Sequence, residues 1–189
     1  NCNLIITFHP IIFSGLKKIT TETYIERVVL KALKNNINIY AIHTNLDNHP
    51  KGVNYIISKK LNLKNVSFLI PKKNFDIGMG MIGDLQNPED EYDFLLNLSK
   101  KMNSGFLKHS DFLGKKISRV AVLGGSGSFA IGNAIENNAD CYVTSDLKYH
   151  DYFKAEKKIL LIDIGHYESE QFTKDLILDF LNKKIPKFA

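Results

Sequence analysis

Apolar positions along the chain fall into short runs separated by stretches whose apolar residues recur with helical spacing. In the first half, the strand-like runs are 3–8, 37–44 and 66–71, and the helix-like stretches are 23–34, 53–61 and 89–102. The second half repeats the alternation, with strand-like runs at 120–123, 141–144 and 159–164 and helix-like stretches at 129–138, 149–157 and 170–182. Apolar, β-branched strands separated by helices of this length predict an α/β fold with a largely parallel or mixed sheet.

Residues 72–87 interrupt this alternation as the one long stretch in which the sequence predicts neither strand nor helix. The segment suggests either a missing insert or a boundary between a first α/β half, residues 1–73, and a second, residues 74–189. Gly78, Gly80 and Gly83 match GxGxxG by letters. Because no apolar strand leads into them and no helical pattern follows, we predict a turn rather than a dinucleotide-binding loop.

Composition and charge narrow the class of protein. With 44% hydrophobic residues among 189, the chain can build one sizeable core or two small halves that share one. No apolar run approaches the roughly 20 residues that span a bilayer and no signal segment opens the chain, so we expect a soluble, cytoplasmic protein. The chain begins without a methionine and enters a strand-like run at once, so we expect a truncated N-terminus.

The formal charge of +5 raises the question of nucleic-acid binding. Arg27 and Arg119 are the only arginines, and the lysines are scattered in ones and twos. Because arginine forks are the usual readers of phosphates and bases, this pattern favours a lysine-rich surface over a nucleic-acid interface. Cys2 and Cys141 lack CxxC spacing, which favours reduced thiols over a disulfide or a zinc knuckle.

Polar and ionisable residues cluster just after the predicted strands, and five of the six histidines are among them. They are His9 after the first strand, His43, Asp47 and His49 after the second, Ser145, Asp146 and His150 after residues 141–144, and His166 and Glu170 after the last. Ligands gather at the carboxyl ends of strands in open α/β sheets. Histidine nitrogen and carboxylate oxygen together suit zinc, iron, manganese or nickel better than calcium or magnesium.

The segment DIGHYESE, residues 163–170, joins a predicted strand to a predicted helix. If a helix begins near His166, the four-residue spacing places its imidazole and the Glu170 carboxylate on one face, where both reach the same ion or two adjacent ions. Roles without metal are also open: His9 as a strand terminator, His43 and Asp47 as turn residues, and Glu170 as a partner of the helix dipole. The segment LGGSGSF, residues 123–129, fits either an anion site at a helix N-terminus or a tight turn.

Five segments in order along the chain together resemble one family, the YbgI-like dinuclear-metal-centre hexameric proteins, also called GTP cyclohydrolase I type 2 homologues. They are ITFHPIIFSGLKKIT, AIHTNLDNHPKGVN, VAVLGGSGSFAI, ADCYVTSDLKYHD and LIDIGHYESE. The resemblance implies two intertwined α/β halves with mixed sheets, a metal site at strand carboxyl ends between them, and a ring-shaped homohexamer. It also implies that His9, Asp47, His166 and Glu170 bind two divalent transition-metal ions, zinc, iron or manganese, with Glu170 touching both.

The chain departs from the family pattern at Phe8. Many members have two consecutive histidines before the proline, and Phe8 stands in place of the first. Since Phe8 cannot ligate, the departure bears on the choice between two functions. The first is a metal-dependent hydrolase of unknown substrate, in which two ions activate a water and His43 and His150 are candidate catalytic residues for proton transfer, with His49 as a further candidate. The second is a non-catalytic metal-binding or regulatory ring. A DNA-associated ring ranks third, and the small-molecule ligand stays open.

Overall fold

In the computed structural model, which describes residues 2–74 and 76–185, the chain divides between Leu46 and Asp47 into two units. In the first unit, strand β1 (Leu4–Thr7) pairs in parallel with strand β2 (Asn38–Ala41). Helix α1 (Tyr24–Lys34) connects them, and the side chain of Thr23 caps its start by accepting a hydrogen bond from the Glu26 amide. The strand–helix–strand order predicted for this part of the chain is confirmed.

In the second unit, six strands of the described residues form one mixed sheet in the order β3-β4-β6-β7-β8-β5. They are β3 (Lys64–Pro71), β4 (Gly78–Asp90), β5 (Lys108–His109), β6 (Lys116–Ser126), β7 (Cys141–Ser145) and β8 (Leu160–Asp163). Strands β6, β7 and β8 are parallel neighbours, and the other pairings are antiparallel. The predicted α/β class with a mixed sheet is confirmed.

The remaining helices of the described residues are short. A single turn, α2 (Thr44–Asp47), is followed by α3 (Val53–Lys60), α4 (Glu91–Met102), α5 (Ile131–Glu136), α6 (His166–Glu170) and α7 (Thr173–Lys184). The predicted helix 129–138 begins with a 3-10 turn, Ser128–Ala130, and continues as α5, whereas the predicted helix 149–157 is a 3-10 helix, Tyr149–Ala155. Among the described residues, no helix is long and apolar enough to cross a bilayer.

The core of the second unit explains why its parallel strands have continuous apolar sequences. Strands β7 and β8 are buried along their whole length. Tyr142 and Leu161 pack on one face with Ala121, Ile131 and other buried residues. Because β7 and β8 are covered on both faces, their positions are apolar except at the carboxyl ends, where Thr144, Ser145 and Asp163 lie. Their carboxyl ends, at Ser145 and Asp163, lie at the same edge of the sheet.

Residues 72–74, 76 and 77 are irregular as predicted, but the prediction of irregular structure over 78–87, with a turn at the glycines, is wrong. Residues 78–90 form β4, a central strand between β3 and β6, and helix α4 starts after it at Glu91. Its glycines let neighbouring backbone approach: a Cβ on Gly78 would lie 2.7 Å from the Ile70 carbonyl, and one on Gly83 would lie 2.8 Å from the Lys64 carbonyl. Small residues at these positions hide the apolar alternation by which strands are usually recognised.

Phe75 lies outside the described residues, as do Asn1 and residues 186–189. The proposed division into halves 1–73 and 74–189 stays a prediction, as does the position of a metal site.

Candidate metal centre

The centre of the candidate site is a histidine–glutamate pair on helix α6. Strand β8 ends at Asp163, and Gly165 turns the chain with a φ of 89°, a conformation that glycine adopts readily. His166 is the first residue of α6 and Glu170 the last, so the four-residue spacing places them on one face. The Nε2 of His166 lies 3.2 Å from an Oε of Glu170, and both residues belong to a candidate metal-binding group.

The other ring nitrogen of His166 is held by an aspartate from the neighbouring strand. Asp146 follows β7 directly, and its Oδ2 lies 2.7 Å from the Nδ1 of His166. Sequence reasoning placed Asp146 among the strand-end residues without a role. The signal that identifies it is the adjacency of β7 and β8, which are parallel neighbours with Thr144 opposite Asp163.

Asp163, at the end of β8, fixes both loops that carry this hydrogen bond. One of its carboxylate oxygens accepts a hydrogen bond from the Leu147 amide at 2.9 Å, and the other accepts one from the Gly165 amide at 3.0 Å. Asp163 is buried, and charge-assisted hydrogen bonds of this kind are stronger than neutral ones. The residues that flank Asp146 and His166 are therefore tied to one side chain.

Asp47 contributes a second carboxylate that is largely withdrawn from water. Its Oδ1 is buried and has no hydrogen-bond partner among the described residues. Burial raises the pKa of Asp47 to about 6, and the positive charge of a protonated His166 opposes this rise. A buried carboxylate oxygen without a donor is unfavourable by itself, so the position of Asp47 suits a bound cation.

The charges of the group interact strongly. Burial, together with the negative charges of Asp47 and Asp146, raises the pKa of Glu170 to about 7, and His166 opposes this rise. Burial lowers the pKa of His166, but the hydrogen bond to Asp146 and the charge of Glu170 outweigh it, so the pKa lies above its usual value. Three carboxyl groups, those of Asp47, Asp146 and Glu170, thus interact electrostatically with one imidazole.

The glycines of LGGSGSF end strand β6 against this group. Gly125 has a φ of 72°, and a Cβ built on it would lie 2.5 Å from Oε1 of Glu170. The Gly125 amide donates a hydrogen bond to the Ser169 hydroxyl, and the Gly124 amide donates one to the side chain of Asn54. Because both amides are already used within the protein, the structure favours the tight-turn interpretation of these glycines over an anion site. Glycine at 125 leaves room for the Glu170 carboxylate.

Asn54 links the glycine turn to the segment of Asp47. Its side-chain carbonyl accepts the hydrogen bond from the Gly124 amide at 2.8 Å, and its side-chain nitrogen donates to the Asp47 carbonyl at 3.0 Å. Asn54 is 1% exposed. Its role was missed from the sequence, because an asparagine on an amphipathic helix carries no local sign of a partner 70 residues away.

Sequence reasoning also proposed roles for four further histidines, His9, His43, His49 and His150. In the first unit, the rings of His9 and His43 are 5.4 Å apart, and the ring of Phe8 meets His9 edge-on at 4.9 Å. In the second unit, His150 is exposed on the 3-10 helix that follows β7, with its ring 5.2 Å from that of Tyr149. The Nδ1 of His49 accepts a hydrogen bond from the Lys51 amide. Metal binding by His9 and catalysis by His43 and His150 stay predictions.

A family model described as Duf34/NIF3 (NGG1p interacting factor 3) matches residues 1–189. Over 175 residues the chain is 33% identical to a GTP cyclohydrolase 1 type 2 homolog of Clostridium acetobutylicum, with 90% of this chain and 65% of the relative covered. Over 182 residues it is 34% identical to a protein of the same name from Nostoc sp., with 95% of this chain and 69% of the relative covered.

Among solved structures, the hypothetical protein SA1388 of Staphylococcus aureus is similar to this chain with a TM-score of 0.85 and 27% identity. The similarity covers 96% of this chain and 74% of that protein. The chain spans 65% of the length of the Clostridium acetobutylicum relative, slightly less than two-thirds.

Proposed function

The chain belongs to the Duf34/NIF3 family, as its five sequence segments predicted, and from this membership and the site geometry we propose that it binds two divalent transition-metal ions. The proposed ligands are His9, Asp47, His166 and Glu170, with zinc, iron or manganese as the ions. The proposed activity is metal-dependent hydrolysis of a small molecule by a ring-shaped homohexamer.

The observation that carries the proposal is the excess of carboxyl groups around one imidazole. Asp47, Asp146 and Glu170 interact with His166, and burial raises the pKa of both Asp47 and Glu170. Buried carboxyl groups become neutral or take up a cation, since an isolated buried charge is unfavourable. A divalent ion would let Asp47 and Glu170 ionise at neutral pH. Mixed nitrogen and oxygen donors of this kind suit zinc, iron and manganese.

The positions of the proposed ligands support metal binding. Glu170 is held on the same helical face as His166, and Gly125 leaves the space that the Glu170 carboxylate occupies. Asp47 offers a buried oxygen. For His9, the support is its match to the family's histidine–proline segment. When bound, divalent ions supply Lewis-acid activation of water and of a carbonyl or phosphoryl group.

Proton transfer would fall to histidines that do not ligate, and His43 and His150 are the candidates. The exposure of His150 suits a group that exchanges protons with solvent or substrate. A non-catalytic metal-binding or regulatory ring is the second candidate function. Phe8 favours it, because an imidazole missing from one ion weakens a two-metal mechanism.

Elemental analysis of tag-free protein refilled with zinc, iron or manganese tests the metal proposal. We expect about two ions per chain in the wild type and a clear loss in His166→Ala and Glu170→Gln. His109→Ala is the matched control, because His109 stacks on Phe112 at an exposed site and should leave the metal content unchanged. A wild-type content near zero after refilling would refute the proposal.

The hydrolase activity requires a separate test on protein whose metal content is known. Each metal form is screened against a panel of phosphate ester, amide and nucleotide substrates, with His166→Ala as the metal-depleted control. Turnover by the wild type that disappears in this variant supports the hydrolase. If every metal form is inert although metal is bound, the non-catalytic function stands.

A further inference from the structure

We propose that Asp146 is a positioning residue for the metal ligand His166. It fixes the orientation of the ring and the nitrogen that carries the proton. The carboxylate of Asp146 lies 2.7 Å from the Nδ1 of His166, on the side of the ring opposite the nitrogen that faces Glu170. The inference rests on the proposed function, since it takes His166 as a metal ligand.

The chemistry follows from the two nitrogens of a neutral imidazole, of which one donates and the other accepts a hydrogen bond. An ionised carboxylate can only accept, so Asp146 keeps the proton of neutral His166 on Nδ1. The lone pair is then on Nε2, the atom that lies 3.2 Å from Glu170 within the candidate metal-binding group. Without the carboxylate, the proton can move to Nε2 and the ring can rotate, and both changes weaken metal binding.

The surrounding loops hold the carboxylate of Asp146 in place. Leu147, the next residue, is buried in the core, and its amide donates to Asp163. The same Asp163 accepts a hydrogen bond from Gly165, which precedes His166. The two residues of the pair therefore have little freedom to separate. Asp146 itself has a φ of 57°, which aspartate tolerates better than most residues.

The positive φ of Asp146 provides a way to separate its hydrogen bond from its backbone conformation. Asp146→Gly suits this φ but removes the acceptor. Asp146→Asn tolerates the same φ and keeps a carbonyl oxygen that can accept from Nδ1, although without charge. Asp175→Asn, at an exposed position in the first turn of α7, is the matched control for the loss of one carboxylate.

The first measurement is the affinity of the full chain for Zn²⁺, by competition with a chromophoric chelator. We expect Asp146→Gly to lower the affinity by about 10- to 100-fold. Asp146→Asn should lose less than Asp146→Gly, and Asp175→Asn should match the wild type. His166→Ala is measured in the same assay. If it loses affinity while Asp146→Gly keeps it, the inference fails and the proposed function stands; if His166→Ala also keeps wild-type affinity, the proposed function itself fails.

The second measurement is the ¹⁵N NMR spectrum of the His166 ring in metal-free protein, at a pH where the ring is neutral. We expect the wild type to carry its proton on Nδ1 and Asp146→Gly to show a mixture of both forms. Such a change is not expected if Asp146 only supports the loop. An unchanged ring spectrum in Asp146→Gly would overturn the inference even if affinity falls, because the loss would then come from the backbone.

Discussion

Replacing Gly125 by alanine perturbs the candidate site at a single atom. The new Cβ would lie 2.5 Å from Oε1 of Glu170 and 3.6 Å from Nε2 of His166. Ordinary contact begins near 3.4 Å, so the carboxylate oxygen must move by about 0.9 Å. Metal–ligand distances tolerate only about 0.2 Å. We therefore expect Gly125→Ala to bind metal at least about ten-fold more weakly, which corresponds to roughly 1.4 kcal/mol.

The same substitution also affects folding, because residue 125 has a φ of 72°. A Cβ in this left-handed region costs about 1–2 kcal/mol wherever it occurs. Gly114→Ala is the matched control: Gly114 has a φ of 69°, and a Cβ there would meet no atom of the described residues within 4 Å. Both variants should lose about 1–2 kcal/mol of unfolding free energy from strain. The loss of metal affinity should be confined to Gly125→Ala.

Urea denaturation of the metal-free proteins and competition titration with Zn²⁺ measure the two effects separately. If Gly125→Ala keeps wild-type metal affinity, Glu170 is not a ligand in the position described. If Gly114→Ala loses as much affinity as Gly125→Ala, general destabilisation explains both variants. Either result would refute the reasoning from the close approach of Gly125 and Glu170.

Two further predictions concern proton binding and the buried amide beneath the site. Because burial raises the pKa of Asp47 from 3.8 to about 6 and that of Glu170 from 4.5 to about 7, the folded metal-free protein binds more protons than the unfolded chain between these values. The stabilisation from proton binding to Asp47 and Glu170 is complete below about pH 4 and is lost as the pH rises through the pKa values of the folded state. The melting temperature of the metal-free protein should therefore fall from about pH 5 to about pH 7.5. In the double variant Asp47→Asn, Glu170→Gln the fall should be shallower; an equally steep fall would contradict the assignment. Asn54→Ala leaves the buried Gly124 amide without its acceptor and should lower the unfolding free energy in urea by about 1–3 kcal/mol. The exposed Asn97→Ala should change it by less than about 0.5 kcal/mol, and an equal loss in both variants would show that the Asn54 hydrogen bonds contribute nothing specific.

The parts of the fold that were predicted from the sequence are those with a local signature. Strands β7 and β8 are recognisable because sheet strands covered on both faces require apolar side chains at successive positions. Helix α1 is recognisable from the helical spacing of its apolar residues. The spacing of His166 and Glu170 places them on one face as soon as a helix begins there. Strand β4 was missed because its glycines are required by the close approach of neighbouring backbone and do not show an alternating apolar pattern.

The amino-acid sequence by itself determined the α/β class, the family and the strand ends at which the chemistry is concentrated. Tertiary structure decided which of those ends meet. Asp146 reaches His166 because β7 and β8 are parallel neighbours, and Gly125 meets Glu170 because β6 ends against helix α6. These contacts join residues 20 to 45 positions apart in the chain. Hydrophobic periodicity specifies which face of a strand is buried, whereas distances between strand ends depend on the order and register of the whole sheet.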